Sequence, residues 1–317
     1  MPRTAYITHT DFRLHDMGRP HPDSPERLAA IQNHLHASGI MEQLATHDAI
    51  EATPEQILRV HTRAYYDELL AHAPASGLYH LDPDTAMNPH TPRCMRLAAG
   101  SGVLAVDRIL AGEIDNAFCA VRPPGHHAGR ENAMGFCFLN NVAIACAHAL
   151  DAHGLERVAI VDFDVHHGNG TEDIFQNNPR VLMTGFFQHP LFPYSGIGKA
   201  APNMRNIPVA AGLRSDAFRT LVTEQILPAL HAHRPQMLFI SAGFGAHYED
   251  DIGSCALVDA DYAWLTEQLL AVCRDCGHQR IVSILDTFEA SIANLEQQLA
   301  QRERQYEYYR NKLLTFE

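Results

Sequence analysis

Short apolar runs alternate with longer amphipathic stretches along most of this chain. Ala5–His9, Ala117–Val121, Val158–Asp162, Val181–Phe187, Met237–Ser241 and Arg280–Leu285 read as strands. The run VAIVD is apolar without alternation, the pattern of a strand buried on both faces of a parallel sheet. Apolar residues at helical spacing predict helices over Pro25–Ser38, Pro54–Val60, Thr62–His72, Pro92–Ala111, Asn140–His153, Ser215–His233 and Asp259–Cys276, with another starting near Thr171. Ser24 reads as an N-cap with Pro25 at the first helical position. Gly39, Gly112 and Gly154 read as helix stops. Residues 74–92, 189–198 and 242–253 read as loops, rich in Pro, Gly and polar side chains. Strand-helix alternation predicts an α/β fold: a parallel sheet flanked by helices, in which ligands sit beyond the carboxyl ends of the strands. Three polar clusters fall at such ends, after Val121, Val161 and Ser241.

The pattern changes near residue 281. Ile281, Leu285, Phe288, Ile292, Leu295, Leu299, Tyr306, Tyr309 and Leu313 continue by fours and threes, with Arg302 as the polar break. That spacing is a heptad seam. The chain therefore divides into an α/β domain over 1–285 and a C-terminal helix over 286–317. This helix is either a coiled coil through which copies associate as a homo-oligomer, or an ordinary amphipathic helix.

Composition narrows the class. With 317 residues, 46% of them hydrophobic, the chain can bury a large core as one α/β unit. A net charge of −13 argues against a broad nucleic-acid surface. The seven cysteines are odd in number, scattered and set in apolar runs, which predicts buried thiols in a reducing, cytoplasmic setting. Cys273-Arg-Asp-Cys276 is a lone CxxC and predicts no zinc knuckle. The first residues, MPRTAYITHTDF, lack the apolar core of a signal peptide, and no run approaches the ~18 apolar residues of a membrane span.

Chemistry concentrates in two stretches. Arg122–Phe138, RPPGHHAGRENAMGFCF, presents His126 and His127 in a Pro/Gly loop: an acid/base pair, or two ordinary surface histidines among 21. Asp162-Phe-Asp164-Val-His166-His167 follows the strand VAIVD. In extended backbone Asp162, Asp164 and His166 share a face, a set able to take a divalent metal, or a solvated strand end. Asp162 and Asn169 could fix the tautomers of working histidines.

RPPGHHA…AMGFCFLNNVA, VDFDVHHGNGTEDIF, QHP.FPYSG, HDMG..HP.SPERL and SAGF.AH together resemble the zinc-dependent histone deacetylase family, most of all its class II and bacterial amidohydrolase members, over about residues 4–283. The resemblance implies the arginase/deacetylase fold and hydrolysis of an acetyl amide, on a lysine peptide or an acetylpolyamine, at one zinc ion. It implies Asp164 and His166 as zinc ligands and His126 and His127 as general acid and base, with Asp162 and Asn169 as their partners. Gly135, Phe136 and Phe192 match positions lining the acyl-lysine channel, and Asp84 falls in a rim loop where the family grips substrate with an acid.

The chain also departs from that pattern. The family's third zinc ligand is the aspartate of SAGFDAH, and here the position is Gly245, so the implied zinc site is weakened. His247, Glu249 or Asp250 could replace it only if the loop refolds. Gly185-Phe186 stands where relatives carry a serine beside a monovalent cation, which puts a K+ site in doubt. The family's glycine-rich loop with an oxyanion tyrosine is missing after Ser283, and the loss of one oxyanion donor typically costs ~10²–10³ in rate. Tyr306, Tyr308 and Tyr309 do not match that loop. IVSILDTFEA and RQYEYYRNKLLTF instead resemble the C-terminal coiled coil of type I restriction specificity subunits. Four readings follow: an impaired deacetylase, a working zinc amidohydrolase with substitute groups, an inactive acetyl-lysine or polyamine binding module, and a non-functional chimera.

Overall fold

A computed structural model of the protein describes residues 3–18, 21–277 and 280–285. The heptad helix predicted over 286–317, and association through it, lie outside the described residues. In chain order the elements are β1 (Thr4–Thr8), α1 (Glu26–Ala37), β2 (Ala45–Asp48), α2 (Pro54–Ile57), α3 (Arg63–Ala71), β3 (Tyr79–Asp82), β4 (Thr85–Met87) and α4 (Thr91–Leu110). There follow β5 (Asn116–Cys119), α5 (Asn141–Asp151), β6 (Val158–Asp162), α6 (Asn169–Phe175), β7 (Val181–Gln188) and β8 (Met204–Val209). The series ends with α7 (Ser215–Leu221), α8 (Leu227–His233), β9 (Met237–Ala242), α9 (Asp259–Asp275) and β10 (Ile281–Leu285).

Eight strands form one sheet in the order β2-β1-β5-β10-β9-β6-β7-β8, and every neighbouring pair is parallel. The central strands β6, β9 and β10 are buried along their whole length, as their unbroken apolar sequences require when helices cover both faces. Parallel strands all point one way. The polar clusters after β5, β6 and β9 therefore converge on one edge of the sheet.

The strands that hydropathy missed are edge or rim pieces. β2 and β8 lie at the two ends of the sheet; β2 alternates half-buried with exposed positions and β8 contains Pro208, both marks of an edge strand. The stretch 74–92, predicted as loop, carries the β3-β4 hairpin. Ser24 is not the cap of α1: Pro25 occupies the N-cap and no side chain caps this end. The helix predicted over Ser215–His233 is broken by a π turn at Val222–Ile226. Pro228, in the first turn of α8, lacks an N–H and crowds the carbonyl four residues back, and a widened turn accommodates both.

A buried ion network fixes the chain between β5 and the histidine pair. Arg122 is fully buried. Its Nε and Nη2 donate to the Asp23 carboxylate at 2.8 and 2.9 Å, and Nη1 donates to the carbonyls of Phe12 and His15 at 2.9 Å each. Arg27 is a second cation on Asp23. The two arginines outweigh burial and hold the Asp23 carboxyl far below the usual range. All seven cysteines are free and buried, the CxxC pair included, as expected. Among the described residues no helix is long and apolar enough to cross a membrane.

Candidate active site

Three loops at the carboxyl edge of the sheet build the site. The first carries His126 and His127, both buried, with ring centroids 4.0 Å apart. His126 Nδ1 lies 3.0 Å from Asp162 Oδ2. His127 Nδ1 lies 2.7 Å from Asn169 Oδ1. An amide oxygen only accepts, so His127 carries its proton on Nδ1 and leaves Nε2 able to take one. Asn169 is held in turn, its Nδ2 donating to Met134 Sδ at 3.2 Å. The His127 pKa is pushed well below the ordinary histidine range by burial first, then by His126 and His166. His127 is therefore neutral near pH 7, as a proton acceptor must be.

The second loop leaves β6. Asp164 and His166 are buried, and His166 Nδ1 lies 2.9 Å from Asp164 Oδ1. The Asp164 backbone N–H donates to Asp162 Oδ1 at 3.1 Å, so Asp162 serves the first histidine and the turn together. The rings of His127 and His166 stand 5.9 Å apart, edge to face. Asp162, Asp164, His126, His127, His166 and Asn169 thus form the single cluster expected from sequence.

The third loop follows β9. The carboxylate of Asp164 packs directly over Gly243, where any Cβ would collide with it. Gly245 supplies no side-chain donor, and a Cβ there would stand 2.7 Å from Val165 Cγ1. Of the three replacement ligands weighed, His247 turns toward Asp259, with Nε2 3.1 Å from Oδ1. Glu249 accepts from the Tyr248 hydroxyl at 2.7 Å. Asp250 comes nearest, with Oδ1 3.8 Å from the position of a Cβ at Gly245, and that oxygen accepts from the backbone of Ile252 at 3.0 Å. An N/O pair such as Asp164 and His166 suits zinc, but a catalytic zinc takes three protein ligands. Asp164 and His166 could supply two of them.

The expected channel residues gather above the histidines. Phe192 presents an edge to His127 at 5.2 Å between ring centroids and to His166 at 6.2 Å. Gly135, at φ +54°, packs between them: a Cβ would lie 2.5 Å from His127 Cδ2 and 3.0 Å from Phe192 Cε1. Phe136 follows in the left-handed region at φ +69°, and its N–H donates to Thr85 Oγ1 at 3.1 Å. Asp84 belongs to the same rim. His21 Nε2 donates to its carbonyl across 3.0 Å, and the His21 ring meets Phe136 at 4.6 Å. Burial, reinforced by Asp82, raises the Asp84 pKa.

Sequence reading passed over His167, the neighbour of His166. His167 Nδ1 lies 2.8 Å from Ser195 Oγ and Nε2 lies 2.9 Å from Glu172 Oε2. The hydrogen bond from His167, aided by one from Asn206, lowers the Glu172 pKa. This relay ties the loop bearing Phe192 to α6. The doubled histidine at 166–167 was its only sequence signal. At the doubted K+ position, a Cβ on Gly185 would collide with the Asp162 carbonyl, so the strand carries no side chain there.

Comparison with known proteins agrees with this geometry. Residues 21–286 match the family model described as the histone deacetylase domain. A probable deacetylase of Archaeoglobus fulgidus is 35% identical over 291 residues, spanning 89% of this chain and 80% of that protein. A histone deacetylase-like amidohydrolase of Pseudomonas aeruginosa is 36% identical over 266 residues, spanning 82% of this chain and 69% of that protein. The crystal structure of the HDA15 HD domain superposes with a TM-score of 0.89 at 31% identity, over 99% of this chain and 90% of that one.

Proposed function

This chain belongs to the histone deacetylase family, and we propose that it binds an acetylated amine, a lysine side chain or a polyamine, and cleaves its amide at a reduced rate. One observation carries the reading: two buried, adjacent histidines hold different partners, His126 a carboxylate and His127 an amide oxygen. That pairing separates their proton affinities, which is what an acid/base pair needs. His127, neutral with Nε2 open, accepts a proton from an attacking water. His126, its Nδ1 fixed by Asp162, is placed to hold or return a proton at the leaving amine. Phe192 and Gly135 shape a narrow apolar wall for the acyl chain, and Asp84 at the rim accepts from backbone or ammonium groups of the substrate.

Asp164 and His166 would hold one zinc ion. When bound, it polarises the amide carbonyl and acidifies a water. Gly245 removes one ligand, and the sequence past Ser283 lacks the family's oxyanion tyrosine, so both terms are weakened. Gly245 also favours a second reading, an inactive module that binds acetyl-lysine or acetylpolyamine. We take 1–285 as the working domain, and the seven buried free thiols support a cytoplasmic, reducing location.

Hydrolysis of an acetyl-lysine peptide and of an N-acetylpolyamine, each with and without added Zn2+, tests the proposal. Slow Zn2+-dependent turnover that disappears in His127→Ala supports it. Saturable binding without turnover selects the binding module. Turnover unchanged in His127→Ala removes the acid/base assignment.

A further inference from the structure

We propose that Asp107, His148 and His153 form a second divalent-metal site, at the edge of the sheet opposite the histidine cluster, that staples α4 to the end of α5. Asp107 lies in the last turn of α4 and His148 in the last turn of α5. His153 follows in the turn that leads to β6. α5 is capped by Asn140, whose N–H donates to His61 Nε2 at 2.9 Å beside the catalytic loop, and runs back against the strands. Its 11 residues span about 16 Å, so its far end lies at the amino edge of the sheet. This cluster is independent of the active-site reading.

The donors converge on a point. His148 Nε2 and His153 Nε2 lie 2.6 and 2.7 Å from the same oxygen, Asp107 Oδ1, and the ligand atoms of all three residues lie within 4.8 Å of one another. On a tetrahedral ion with bonds of about 2.0–2.1 Å the donors would stand about 3.3 Å apart. Seating an ion therefore needs the carboxylate to retreat by about half an ångström or more and the imidazoles to close. Side-chain rotation suffices, because Asp107 is 43% and His153 31% exposed. Two imidazoles and one carboxylate, with solvent at the open positions, suit zinc, cobalt or nickel rather than magnesium or calcium.

Arg59 sets the affinity. Its Nη1 lies 2.7 Å from His148 Nδ1. A guanidinium only donates, so Nδ1 accepts and His148 carries its proton on Nε2, facing Asp107. Metal ligation needs the other tautomer, with the proton on Nδ1 and the Nε2 lone pair on the ion. Arg59 therefore competes with the metal and must turn away as it binds. Glu55 offers it a second partner, with Oε1 3.4 Å from Nη2.

The test uses Co2+ as the probe on the full chain, by equilibrium dialysis and d–d absorption. In an Asp164→Asn/His166→Asn background, which silences the active-site ligands, one Co2+ per chain is expected to remain and to raise the thermal midpoint. His153→Asn in that background abolishes the uptake and the stabilisation while leaving the metal-free midpoint unchanged. Arg59→Met tightens binding about tenfold, because the competing donor is gone. Failure of the double-variant background to take up Co2+, or uptake that survives both His153→Asn and Asp107→Asn, would overturn the proposal. Neither outcome bears on turnover at His126 and His127, which is measured separately.

Discussion

His126 and His127 stand 4.0 Å apart yet face different partners, a carboxylate on one side and an amide oxygen on the other. The two rings could not both be charged at that spacing in a buried site. Replacing the amide with a charge erases the asymmetry. Asn169→Asp puts a carboxylate 2.7 Å from His127 Nδ1 and is expected to raise the His127 pKa by about 1–3 units. Imidazole proton NMR reads this directly. The acid limb of the pH–rate profile moves to higher pH with it, since turnover needs His127 neutral. A titration identical to that of the parent would show that Asn169 does not set the His127 charge.

Restoring Gly245→Asp alone does not rebuild a three-ligand site. The new Cβ would meet Val165 Cγ1 at 2.7 Å, and Val165 is fully buried and β-branched. Forcing atoms into a packed core costs about 1–3 kcal/mol. The single variant is expected to lose stability and gain little zinc. Gly245→Asp with Val165→Ala makes room and takes up more zinc than Val165→Ala alone, read as metal per chain after dialysis. Equal zinc content in the two would show that position 245 does not face the ion.

The central sheet was legible because its strands are apolar without interruption. VAIVD and MLFIS could hardly be anything but buried parallel strands. β2 and β8 escaped because edge strands bury one face and tolerate Pro208 and polar residues. Within the site, period-two spacing picked out Asp162, Asp164 and His166, but its premise of extended backbone fails: β6 ends at Asp162 and the chain bends at 164–166. The Asp164 and His166 N–H groups donate to the carboxylates of Asp162 and Asp164, and these turns bring the three together. Asn169 was readable from its place in the glycine turn. His21, Thr85 and Ser195 were not. Each acts through a contact made across the fold, His21 to Asp84 over 63 positions and Thr85 to Phe136 over 51, and no local pattern encodes such a partner. His247, a candidate substitute ligand on sequence, is drawn off to Asp259.

The Ser195–His167–Glu172 relay predicts a kinetic signature. It ties down the loop that carries Phe192 without touching the reacting atoms. Ser195→Ala removes one hydrogen bond, worth ~1 kcal/mol, and frees that loop. KM for an acetyl-lysine substrate is expected to rise several-fold while kcat changes by less than about twofold. Ser195→Thr, which keeps the hydroxyl, restores KM. A fall in kcat with KM unchanged would place Ser195 in the chemistry instead.

His61 makes folding sensitive to mild acid. It is buried, its Nε2 accepts from the Asn140 backbone N–H at 2.9 Å, and burial lowers its pKa from 6.5 to about 4. Above pH 6.5 neither folded nor unfolded chain holds the proton, and the full stability is present. Between pH 6.5 and about 4 the unfolded chain binds a proton that the folded chain refuses, so stability falls. Below about pH 4 both bind it and the loss is complete, about 3 kcal/mol for this group. His61→Gln keeps an acceptor near Asn140 and removes the titration. Urea unfolding at pH 7 and at pH 4.5 is expected to show a smaller drop for the variant than for the parent. Equal drops would mean that the acid sensitivity arises elsewhere, with buried His15, held down to about 3 by burial and Arg122, the next residue to replace.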